Sequence, residues 1–233
     1  MPSLRLEHYA FRIMENQLRI QEIQDTYGEF DWGADISNGR LTFTDTASGT
    51  VLADLPMQLI GSQSDQTRTW LWAWANANGG NAFPESVTRL CRAVRDAAIA
   101  SGKGDTVLAA ADLFDLPEVG LALPEDNFGY EMATLCAGFG GAFGYYRCPY
   151  EGGAAWAVIE SYPEAETLPP SAHRMARAIQ AAISTFPLDH HAATEAYLGQ
   201  PGASSMYANG LTIRFDDQGR IAGMQYAVGG GDL

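Results

Sequence analysis

Apolar positions along the chain change period several times, and each change marks an element. Between residues 4 and 24, Leu4, Phe11, Met14 and Leu18 recur at helical spacing, which predicts an amphipathic helix ending near 25–28. The next fifty residues alternate instead. Residues 30–34, 40–45, 52–62 and 67–76 read as four strands, joined at turn signals such as Asn38-Gly39 and the run 45–50. Pro56 interrupts the third and predicts an edge position or a bulge there. Four successive strands with short joins predict an antiparallel meander.

Beyond residue 83 helices return. Pro84-Glu85 opens a helix to about 101, with Val87, Leu90, Cys91, Val94 and Ala98 as its buried stripe and Gly102-Lys103-Gly104 as its stop. A strand is predicted over 107–113 and a helix over 125–137. The glycine-rich break Gly138-Phe139-Gly140-Gly141 leads to a hairpin, 143–149 and 154–161, turning at Gly152-Gly153. Ser171 begins a helix to about 186. Asp189 caps a short helix over 190–198, which Gly199 ends. A last hairpin, 211–215 and 220–227, turns at Asp216-Asp217-Gln218-Gly219. Strands and helices do not alternate regularly. The expected class is therefore α+β, with antiparallel meander and hairpin strands packed against several helices. Residues 1–165 form the main domain in this reading. Residues 166–233, helices plus a hairpin, pack on the same domain.

The densest local pattern is Trp70-Leu71-Trp72-Ala73-Trp74-Ala75-Asn76. In one extended strand, Trp70, Trp72 and Trp74 share a face. Such a row is either core beneath the helices or a stacking surface for a ligand, a peptide or a sugar. Asn76, Asn78 and Asn81 follow it, as turn formers or as amides at a pocket rim. Trp70, Trp72, Trp74, Asn76 and Tyr146 are the candidate ligand-binding residues.

Charge narrows the partners. The 233 residues carry 14 Lys and Arg against 28 Asp and Glu, a net charge of −14. Nucleic acid and anionic membranes are repelled at long range, whereas a basic protein partner is attracted. Hydrophobic residues make up 46% and charged ones 18%, which excludes disorder driven by charge. No apolar run is long enough for a membrane span, and the first residues lack the apolar core of a signal peptide, so a cytoplasmic chain is expected. Cys91, Cys136 and Cys148 have neither disulfide nor zinc spacing and read as core residues. His190-His191 beside Asp189 reads as an exposed first turn, because adjacent helical residues diverge by about 100°. Neither a metal nor a cofactor is expected, and no serine-nucleophile elbow or phosphate loop is present.

Gly61-Ser62, then Thr69 through Asn76, and downstream Tyr146-Arg147-Cys148-Pro149 with Gly152-Gly153, resemble a bacterial domain family of unknown function, DUF6882, over residues 25–165. The resemblance implies a bacterial protein and carries no activity or catalytic residue with it. Three functions fit the sequence. The first is a non-catalytic interaction protein, in one form an immunity protein neutralising a basic toxin. The second is an enzyme or small-molecule binder with a pocket at the end of the tryptophan-rich strand. The third is an oligomerisation module that buries the aromatic face between subunits.

Overall fold

The computed structural model describes residues 2–75, 83–101, 121–122 and 127–226. A 3-10 turn, Leu6–His8, leads into helix α1 (Ala10–Gln24). Four strands follow, β1 (Phe30–Asp35), β2 (Arg40–Asp45), β3 (Val51–Ser64) and β4 (Thr69–Trp72). Next come helix α2 (Glu85–Ala100), the two-residue strand β5 (Leu121–Ala122), helix α3 (Phe128–Gly140) and the hairpin β6 (Gly144–Tyr150) and β7 (Gly153–Ile159). The C-terminal part contains α4 (Pro163–Glu166), α5 (Ala172–Thr185), α6 (His190–Leu198), β8 (Ser205–Ala208), β9 (Leu211–Phe215) and β10 (Ile221–Tyr226). The class is α+β, with an antiparallel seven-stranded sheet and an antiparallel three-stranded one, β10-β9-β8.

The larger sheet is arranged around β3. Its first half pairs with β2 and its last four residues with β4, while β7 pairs along it from Met57 to Ser64. Met57 donates to Gly39 O on the β2 side, and Pro56 O accepts from Glu160 N on the β7 side. Thus β2 and β4 share one edge of β3, and β7 has the other. Pro56 lies inside a central strand, contrary to the expected edge. It falls on the last rung of the β3–β7 ladder, where only its carbonyl is needed. A register shift does occur, between Leu59 and Gly61.

That shift leaves Gly61 opposite Trp72 on one side and Trp156 on the other. A Cβ at Gly61 would lie 2.5 Å from Trp70 Cζ2 and 2.7 Å from Leu71 O. Glycine is what lets the Trp70 ring cross the strand at van der Waals distance. The rings are covered by α3 through Phe128, Met132 and Leu135, and the same cluster takes in Leu90, Cys91 and Val94 of α2. All five residues of the stripe expected on α2 are buried. β7 is buried on both faces. Trp156 and Val158 join this first cluster, and Ala157 and Ile159 join a second, with Leu41, Phe43 and Leu55. Its near-continuous apolar run has that physical origin.

The predicted strand over 67–76 is shorter in the structure. It ends at Trp72, and Ala73–Ala75 form a 3-10 turn. The β3–β4 ladder stops at the Gly61–Trp72 pair, beside the register shift of β3 between Leu59 and Gly61. Asn76, Asn78 and Asn81, and the strand expected over 107–113, lie outside the described residues. Helix α1 starts later than expected, because Tyr9 at φ −127° breaks from the preceding turn.

Gly61→Ala is expected to lower stability by about 3 kcal/mol through overpacking against an indole and a carbonyl. Gly49→Ala, at φ +70° with nothing near its Cβ position, should lose only about 1 kcal/mol. Urea unfolding of both variants checks this, and equal losses would contradict the packing assigned to Gly61.

Candidate functional site

Asn76 lies outside the described residues, and the structure does not bring the other four sequence candidates together. Trp70 and Trp72 are fully buried and Trp74 is 9% exposed. Trp70 meets Trp72 edge-on at 5.4 Å, Trp74 stacks on Trp72 at 6.4 Å, and the Arg95 guanidinium covers Trp74 at 4.7 Å. The row is therefore core, not surface. The indole N–H groups of Trp70, Trp74 and Trp156 reach no acceptor among the described residues. Tyr146 belongs to the other cluster, half-buried against Phe43 at 5.0 Å and Trp32 at 6.3 Å. Burial pushes its phenol pKa up.

The open space lies elsewhere. Two adjoining depressions, of about 390 Å³ and about 580 Å³, share Gly141, Ala142 and Glu160 and form one cleft. Its floor is the turn from α3 into β6. Gly141 closes α3 in the left-handed conformation, with Ala142 N donating to Ala137 O. Gly138 has no room for a Cβ because the Tyr9 ring lies against it. That contact brings the start of α1 down onto the end of α3.

The smaller half of the cleft is built on Glu160, just past the end of β7. Gln58, buried in β3, donates to Glu160 Oε1 at 2.6 Å and accepts from Leu90 N at 2.9 Å. Arg89 of α2 also donates to Glu160 Oε1. The carboxylate is thus fixed through one oxygen. The Glu160 side chain keeps 32% of its surface exposed.

The larger half runs along one face of α1, where Arg12 and Asn16 stand four residues apart, and past its start to His8 at the end of the 3-10 turn. Asn16 Nδ2 donates to Phe143 O at 2.6 Å. Arg12 lies over the Tyr197 ring at 5.7 Å and forms no ion pair among the described residues. Glu160 and Glu166 line the same space, and Glu166 Oε1 accepts from Tyr162 N at 2.9 Å. Tyr9 donates its hydroxyl to Ser3 O, and burial raises its pKa.

Behind the cleft, α1 is tied to the C-terminal helices by buried charges. Glu15 Oε2 accepts from Tyr197 Oη at 2.6 Å, and Glu15 Oε1 sits 3.0 Å from Arg19 and 3.7 Å from Arg174. Arg174 also reaches Glu22 at 2.8 Å, and Arg19 donates to Leu168 O. Burial raises the Tyr197 phenol pKa, with the Glu15 carboxylate acting in the same direction. His190 and His191 are only partly exposed, a correction to their reading as an exposed turn. His190 Nδ1 accepts from Ile221 N, and His191 pairs with Glu195 at 3.3 Å and lies on Phe215. Asp189 caps α6 as expected, accepting from Ala192 N at 2.9 Å.

Sequence reasoning missed the cleft because its residues come from positions 8–16, 58, 89–93, 138–143, 160–166 and 196. The available signal was the glycine run 138–141, whose spacing suits close approach of another element.

The model of a family of unknown function, DUF6882, matches residues 5–162. The chain belongs to this family. The match includes α1 and every cleft residue from His8 to Glu160, and it stops before Glu166 and Tyr197. No curated protein and no solved structure matches the chain. Among the described residues no cluster of His, Cys, Asp and Glu is suited to a metal ion, and no helix is long and apolar enough to cross a membrane.

All three cysteines are free and buried. Burial pushes the Cys91 thiol up to about 11, that of Cys148 up to about 12, and that of Cys136 well above its ordinary value. In the unfolded chain these thiols ionise at about 8.5. The native state therefore keeps its protons longer. This contribution to stability is complete below pH of about 8.5 and is lost as pH rises through the native values. We expect the urea midpoint to fall steadily above that pH, and native DUF6882 chain to leave a disulfide reagent unreacted near neutrality. Rapid reaction of a native thiol would contradict the burial.

Proposed function

We propose that this DUF6882 protein is a non-catalytic binding protein and that the cleft around Glu160 holds a cationic group of its ligand. The observation that carries the reading is the Glu160 carboxylate. One oxygen is fixed by Gln58 and Arg89, and the other has no partner among the described residues. An oriented, partly desolvated carboxylate at the meeting point of two depressions is a ready acceptor for an ammonium or guanidinium. Two further observations support a role without chemistry on the bound group. The thiols are buried, and no histidine is hydrogen-bonded to a serine, threonine or cysteine side chain among the described residues.

A second reading keeps the interaction-protein expectation, with a basic protein as the partner and toxin neutralisation as one form of it. Residues 25–54 favour it. They carry Asp25, Glu29, Asp31, Asp35, Asp45 and Asp54 against Arg40 alone, and Arg40 is engaged by Asp54 at 2.8 Å. A strongly one-signed surface of this kind accelerates encounter with a basic partner. A bacterial, cytoplasmic setting accords with both readings.

The test is titration calorimetry with a panel of small primary amines and guanidines and their neutral analogues, on wild type and Glu160→Gln. Gln58 and Arg89 can both still bond the new amide oxygen, so the variant keeps the local geometry. The cationic compounds should bind in preference to the neutral ones, and Glu160→Gln should weaken them roughly tenfold or more, as expected for a lost charge-assisted hydrogen bond. Equal binding of charged and neutral analogues, or of both proteins, would sink the reading.

A further inference from the structure

We infer that the ligand of this cleft is a zwitterion, a free α-amino acid with an apolar side chain, whose carboxylate is taken by Arg12 and His8 while its ammonium meets Glu160. The inference rests on the reading of the Glu160 cleft as the ligand site, and it names the class of ligand.

The walls of the larger depression carry opposite charges that do not meet. The Arg12 guanidinium stands on the α1 side, with the His8 imidazole lining the same space, and the Glu160 and Glu166 carboxylates stand across the floor. In a chain with twice as many acids as bases, Arg12 forms no ion pair among the described residues although two carboxylates line the same space. Several other arginines are engaged by carboxylates: Arg19 by Glu15, Arg40 by Asp54, Arg89 by Glu160, Arg174 by Glu22 and Arg220 by Asp216. Arg12 is instead placed by an aromatic ring. Tyr197 lies beneath its guanidinium, and Glu15 fixes the Tyr197 hydroxyl. Cation–π contact orients a guanidinium while leaving its N–H fork free for a carboxylate.

His8 ends the 3-10 turn ahead of α1, lines the same space as Arg12 and lies edge-on to Tyr9 at 6.3 Å. It adds a second donor to the same side. The facing carboxylates have complementary vacancies. Glu160 uses one oxygen and Glu166 uses only Oε1. Charges of opposite sign bordering one space, each held by other contacts, match a molecule that carries both signs. The space of about 580 Å³ lies within the range of about 300–1,000 Å³ typical of small-ligand sites. Ala142 and Phe143 on the floor provide apolar surface for a side chain between the two charged ends.

The probes are phenylalanine, its amide and phenethylamine, which lack the carboxylate charge, and N-acetylphenylalanine, which lacks the ammonium. Leucine and its corresponding derivatives form a parallel set. Affinities are measured by calorimetry on wild type, Arg12→Met and Glu160→Gln, with circular dichroism confirming that each variant is folded. The amino acid should bind at least tenfold tighter than either the amide or the N-acetyl form. Arg12→Met should abolish the preference for the acid over the amide without weakening phenethylamine. Glu160→Gln should abolish the preference for the free amine. If the amide and phenethylamine bind as tightly as the amino acid, the zwitterion is wrong while the cation site at Glu160 stands. If none of the amines binds, the reading beneath it falls as well.

Discussion

Glu15 is the residue on which the arrangement depends. It is a carboxylate buried in the middle of α1, and it is satisfied only by groups from elsewhere: the Tyr197 hydroxyl on α6, Arg174 on α5, and Arg19 one turn along its own helix. A charge in such a place is stable only while every partner is present, and removing one partner of a buried pair costs about 3–5 kcal/mol. The consequence is geometric as much as energetic. The helix of the family-matched region and the helices that follow it are held in one register, and the Tyr197 ring ends up beneath Arg12.

α1 thus has three distinct sides. Phe11, Ile13 and Ile20 face the hydrophobic clusters. Glu15, Arg19 and Glu22 face the C-terminal helices. Arg12 and Asn16 face the cleft, with His8 of the preceding 3-10 turn at its end. The sheet determines the opposite wall. The register of β3 against β7 puts Gln58 near Glu160, and α2 supplies Arg89 and the Leu90 N–H that orients the Gln58 amide. The tryptophan row contributes to none of this directly. Its role is to fill the space between sheet and helices, and Gly61 makes that filling possible.

Much of the fold was legible in the sequence because it obeys local rules. The stripe Val87–Ala98 on α2, the Asp189 cap and the succession of antiparallel strands β1 to β4 follow from periodicity and turn chemistry alone. What escaped was set by tertiary partners. Trp74 left the strand where the β3–β4 ladder ends, at the Gly61–Trp72 pair next to the irregularity of β3. β8 was unseen because four residues with one buried side chain, Met206, make no readable period. The site itself was illegible for the same reason. Aromatic density drew attention to positions 70–76, while the cleft gathers ordinary residues from six separate stretches, none of which forms a motif.

The central claim is that binding occurs at the Glu160 cleft and not at the tryptophan row. The most direct measurement is a nitrogen-labelled NMR titration that follows backbone amides and the five indole N–H signals together while free amino acids and small amines are added. The amides of Asn16, Gly141, Phe143 and Glu160 should move in a saturable way, with the indole signals of Trp70 and Trp72 unchanged. Movement of those indole signals with the cleft amides unchanged would contradict it.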